Sequence, residues 1–84
     1  MKKDMGEYEM KSEYAERFRD LGLQIAKYRK RKGMTQLDLA KKAGISRTHI
    51  SNIEAAGIQK GISLELLFRI SDILEVPVDK LLKN

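Results

Sequence analysis

Apolar residues recur every three or four positions along most of this chain, and strict alternation is absent, so the pattern predicts helices and no strands. Tyr14, Phe18, Leu21, Ile25 and Tyr28 draw one stripe down a first helix. Ser12 stands at its N-cap, with Glu13 and Glu16 in the first turn. Lys30, Arg31 and Lys32 suit the negative end of the helix dipole, and Gly33 stops the helix. Thr35 and Asp38 form a capping box for a second helix, with Met34 and Leu39 as a hydrophobic staple across the cap. That helix runs to Ala43, where Gly44 supplies a left-handed turn. After Ile45 alone, Ser46 caps a third helix expected to reach Ala56 and to end at Gly57. Ser63 caps a fourth helix ending near Leu74, and Pro77 opens a short fifth carrying Val78, Leu81 and Leu82.

The expected fold is all-α: a compact five-helix domain over residues 13–84, preceded by an arm at 1–12. With 84 residues the chain builds one small core, and no separate effector domain or small-molecule ligand is expected. Hydrophobic residues make up 42%, enough to fold. Charged residues make up 35%, above the usual share of about 25%. Residues 18–60 carry ten Lys/Arg against three Asp/Glu, while both flanking segments are nearly balanced. A basic middle between neutral ends points to a polyanionic partner.

The absence of cysteine removes disulfides and Cys-ligated metal sites, and His49 is the sole histidine. Neither a nucleophile–base pair nor a metal-ligand cluster is visible, so no catalytic residue, metal or cofactor is assigned and an enzyme is not expected. No stretch reaches the roughly 18 apolar residues of a membrane span, and the N-terminus lacks the apolar core of a secretory signal. A soluble cytoplasmic protein is expected.

The segment TQLDLAKKAGISRTHISNIE, residues 35–54, joins two short helices through a tight corner. Such a corner needs a small residue at the crossing (Ala40), a positive φ at Gly44, and a wedge of Leu39, Ile45, Ile50 and Ile53. With the approach from Arg29 through Lys30-Arg31-Lys32-Gly33-Met34 and the ending Val76 to Leu82, these residues resemble the Cro/phage-repressor type (XRE) helix-turn-helix family over about Leu21 to Leu82, with the helix-turn-helix itself at 35–56.

The resemblance implies a sequence-specific, double-stranded-DNA-binding transcriptional regulator, a repressor foremost, with its third helix in the major groove. Since Ile50 and Ile53 face the core, helical spacing turns Arg47, Thr48, Ser51 and Asn52 outward. Arg can fork onto guanine and Asn onto adenine, while Thr and Ser can bond either way. The resemblance also implies a phosphate contact by Gln36; Ser46, His49 and Lys60 are further phosphate candidates. It implies an ion pair between Arg29 and Glu54, which offsets a carboxylate at the unfavourable end of the third helix. Finally, it implies homodimers on pseudo-palindromic operators. The surplus of apolar residues on the fourth helix nominates Leu66 and Ile73, with Leu81 of the fifth, as the dimer surface.

Three features depart from the family pattern. The turn Glu54 to Ser63 is longer and lacks its Pro, Leu37 is apolar at an exposed position, and Tyr14 and Phe18 extend the first helix and need a partner. Two alternatives stay open. One is an antitoxin or a restriction–modification controller on the same fold. The other is a basic helical docking module for acidic proteins or membranes.

Overall fold

Hydroxyl side chains set the starts of the three middle helices. The computed structural model describes residues 12–55 and 62–83, with helices α1 Ser12–Arg31, α2 Gln36–Ala43, α3 Arg47–Glu54, α4 Leu64–Leu74 and α5 Val78–Leu81. Thr35 Oγ1 accepts from Asp38 N at 3.0 Å, Ser46 Oγ from His49 N at 3.0 Å, and Ser63 Oγ from Leu66 N at 3.1 Å. Each bond satisfies an N–H that the first helical turn leaves without an acceptor. The Thr35 cap is reciprocal, because Asp38 Oδ2 accepts from Thr35 N at 2.9 Å.

Helix ends use one device three times. Met34 N donates to Arg29 O, Ile45 N to Ala40 O and Val76 N to Ser71 O, each reaching back five residues around a left-handed position. Those positions are Gly33, Gly44 and, without glycine, Glu75 at φ 61°. At Gly44, φ is 75°, and this one residue turns α2 into α3 within three positions.

The core forms where the five helices meet. Ile25 of α1, Leu39 of α2, Ile50 of α3, Ile70 of α4 and Leu81 of α5 are all fully buried. Gly22 of α1 is buried against α3, close enough that a side chain there would overlap the Ile53 carbonyl oxygen. From α4, Arg69 Nη1 reaches the corner and donates to Ala43 O at 2.7 Å. Gln24 Nε2 ties α1 to α5 through Lys80 O at 3.1 Å.

Several expectations are corrected. Leu66 (7% exposed) and Leu81 (0%) lie in the core and do not form an outer apolar face. The reason is that α1, α2 and α5 all pack on α4, so its buried arc is wider than one stripe and takes in 66, 67, 70, 71 and 74. Ile73 is half-buried against the core. The apolar side chains left exposed on α4 are Leu64 and Phe68. Phe18 packs on the core of its own chain, while Tyr14 and Leu37 stay exposed.

The third helix stops at Glu54. Ala55 is extended, with its N–H on Asn52 O at 3.3 Å, so the last turn tightens before the expected end. Ser12 is itself helical, and Pro77 is the N-cap of α5 rather than a residue of its first turn. Lys60, Gly57 and the arm through residue 11 lie outside the described residues.

Candidate nucleic-acid interface

The exposed face of α3 follows from which side chains the core takes. Ile50 and Ile53 are buried, and Glu54 turns inward to Arg29. On a helix this sends Thr48 and Asn52, four residues apart, directly away from the core, and both are exposed. Ser51 flanks them half-buried; Arg47 and His49 flank them exposed. The face thus offers a guanidinium, an amide and two hydroxyls in a strip one helix wide, the chemistry that reads base edges in a major groove. Ser46 Oγ spends an acceptor site on its cap, and among the described residues its O–H has no acceptor, so it can donate to an oxyanion.

Behind this face, the pair joining α1 to the end of α3 is buried. Arg29 Nε donates to Glu54 Oε2 at 2.7 Å and Nη2 donates to Oε1 at 3.0 Å, with side chains 8% and 6% exposed. Arg29 Nη1 also donates to Met34 O at 2.7 Å, so all three nitrogens of the guanidinium are used. No buried side-chain nitrogen or oxygen lacks a partner among the described residues.

Gln36, the first residue of α2, is half-buried and turned toward α3. Its Nε2 donates to Glu54 Oε1 at 3.0 Å, and its Oε1 accepts from Arg47 Nη1 at 3.2 Å. Among the described residues its second side-chain N–H has no partner and can meet a phosphate, beside the backbone N–H groups of Gln36 and Leu37 that helix geometry leaves without an intrahelical acceptor. The Asp38 carboxyl is held below its ordinary range chiefly by the Thr35 N–H and then by the Thr35 hydroxyl, with Lys41 and Lys42 assisting.

Sequence counting overstates the free basic charge. Arg29 is neutralised inside the core, and Lys32 Nζ pairs with Glu75 Oε1 at 2.7 Å. Lys27 and Arg31 both lie over the Tyr28 ring, 5.2 and 5.3 Å from its centre, with their charges still available to solvent. Two contributors escaped sequence reasoning: the Gly22 contact that sets the α1–α3 distance, and the Gln36 bridge to Arg47.

Comparison with known proteins agrees with this geometry. The helix-turn-helix family model matches residues 25–81. The HTH-type transcriptional regulator SinR of Bacillus licheniformis is 39% identical over 64 residues, covering 76% of this chain and 57% of the relative. SinR of Bacillus subtilis is 39% identical over 62 residues, covering 74% and 55%. The chain therefore spans little more than half the length of these relatives. A structure of SinR, the master regulator for biofilm formation, in complex with DNA is 38% identical with a TM-score of 0.68, covering 75% of this chain and 98% of that one. The restriction-modification controller C.AhdI from Aeromonas hydrophila shares the fold, with a TM-score of 0.69 at 23% identity over 76% of this chain and 94% of that one. The helical corner, its glycine and its matched segment together place this chain in the XRE-type helix-turn-helix family.

Proposed function

We propose that this protein is a cytoplasmic regulator of transcription that binds double-stranded DNA by sequence and acts as a repressor. The observation that carries this reading is the outward strip of Arg47, Thr48, Ser51 and Asn52 on a helix whose other side is locked by Ile50, Ile53 and Glu54. Support comes also from SinR, a relative solved with DNA, along nearly the whole of that chain. In this reading Arg47, Thr48, Ser51 and Asn52 contact bases, while Gln36, Ser46 and His49 hold phosphates at the groove edge.

One such helix spans only a few base pairs. Two copies on a pseudo-palindrome, with half-sites about 10 bp apart or a multiple of that, supply a full operator. Leu64 and Phe68 are the apolar side chains of α4 open to a second copy. The test is selection from random duplexes, followed by titration across salt. A recovered site with two-fold symmetry and an affinity that falls steeply with salt supports the reading. Equal binding to every duplex contradicts it and favours a basic docking module.

A further inference from the structure

One side chain joins the outer face of α3 to the buried ion pair behind it. Glu54 Oε1 accepts from both Arg29 Nη2 and Gln36 Nε2 at 3.0 Å, and Gln36 Oε1 accepts from Arg47 Nη1 at 3.2 Å. The order of donors and acceptors along this line is fixed by chemistry. A carboxylate paired with a guanidinium only accepts, so Gln36 must turn its NH₂ toward Glu54. Its carbonyl then points the other way, and that carbonyl is what Arg47 meets. An amide at position 54 would lift this constraint, because Gln36 could then present either end, and an NH₂ facing the Arg47 guanidinium leaves two donors opposed. The inner end of the line is held on several sides: the Glu54 side chain is 6% exposed, and Arg29 has a further anchor on Met34 O. At the outer end, among the described residues, one of the five Arg47 guanidinium N–H groups is engaged, which leaves the others to meet a ligand.

We propose that Glu54, acting through Gln36, is a positioning residue for Arg47. The buried carboxylate sets the direction of the Gln36 amide, and the amide holds the Arg47 guanidinium in one orientation before DNA arrives. The proposal rests on the reading that α3 contacts bases, and it gives a role in specificity to two residues that touch none. A free arginine loses much rotamer freedom on docking, and one already held loses less. The effect therefore falls on discrimination at the base pair under Arg47. A Gln36 that served only as a phosphate ligand would instead weaken every duplex alike.

The test is a double-mutant cycle on DNA binding. Kd is measured for the unmodified protein, Gln36→Met, Arg47→Ala and the double variant, on the selected duplex and on duplexes changed one base pair at a time. Gln36→Met keeps the side-chain length and leaves Arg29 and Glu54 paired. The expected result is a roughly fivefold loss of discrimination at the one base pair that Arg47→Ala flattens. In the Arg47→Ala background Gln36→Met causes no further loss of discrimination. Glu54→Gln, measured where circular dichroism shows it folded, relaxes the same base pair, and does so only while Gln36 is present. Uniform weakening of all duplexes by Gln36→Met, by one factor in both backgrounds, overturns the positioning role while leaving base reading by Arg47 intact. If Arg47→Ala leaves every base preference unchanged, the base-reading assignment itself fails and takes the positioning role with it.

Discussion

Replacing Gly22 with Ala sets two effects of opposite sign against each other. In an exposed helix interior the change adds about 1 kcal/mol of stability, because glycine there gives up more conformational freedom on folding. Gly22, however, is buried against α3. A Cβ at this position overlaps the Ile53 carbonyl oxygen and stands 3.2 Å from both Ile53 C and Glu54 Cα. All three are backbone atoms of a helix, so no rotamer change relieves the overlap. The two helices must separate by on the order of 1 Å to restore ordinary contact distances. That movement draws Ile53 from the core and stretches the Arg29–Glu54 bonds of 2.7 and 3.0 Å. Overpacking of this kind costs about 1–3 kcal/mol, and loss at the buried pair adds to it. Packing therefore outweighs propensity, with an expected net loss of about 2 kcal/mol. Urea unfolding measures it as a lower midpoint at unchanged slope. Leu23→Ala, exposed on the same helix, is the control and should shift stability by less than about 0.5 kcal/mol. A Gly22→Ala protein as stable as the original, or more so, would refute the close α1–α3 crossing.

Four further substitutions probe other contacts of the fold. Glu54→Gln strands the Arg29 charge and should cost roughly 3 kcal/mol in urea unfolding, whereas a loss under about 0.5 kcal/mol removes the buried pair from the account. Asp38 and Glu75 both have carboxyls held below their ordinary range, by Thr35 and by Lys32 respectively, so each binds a proton less readily folded than unfolded. Their contribution is complete above the ordinary carboxylate range and is lost as pH falls through the lowered values. Asp38→Asn should accordingly flatten the acid limb of a Tm–pH curve, and an unaltered limb counts against the capping box. Leu66→Glu places a charge in the core and should abolish cooperative unfolding; Phe68→Glu, on the exposed side of α4, should keep the fold, and sedimentation then reports whether that side joins two copies.

What the sequence made legible is local or periodic. The Thr35–Asp38 box, the Ser46 and Ser63 caps and the turn at Gly44 involve atoms within a few residues of one another, so the residue types alone specify them. The stripe from Leu21 to Ile25 and the Ile50–Ile53 pair follow from helical period. What stayed illegible depends on distant partners. Gly22 reads as a weak point in a helix until α3 is laid across it. Leu66 and Leu81 read as surplus apolar residues because the sequence does not say how many helices will cover α4. Glu75 carries no signal for its left-handed backbone, which accompanies a Lys32 contact 43 positions away and the Ser71 hydroxyl on Val76 O. Gln36 was legible as a residue at a helix start, but its inward turn depends on Glu54, 18 positions on.

The claim that the outer face of α3 reads DNA sequence is tested most directly by measuring Kd for the unmodified protein, Arg47→Ala and Asn52→Ala. Each is titrated against the selected duplex and every single-base-pair variant of it at one fixed salt concentration. Each substitution is expected to cost about 1–3 kcal/mol on the selected site and to flatten the preference at one base pair, a different one for each residue. Full discrimination retained by both variants would contradict it and place base reading somewhere other than α3.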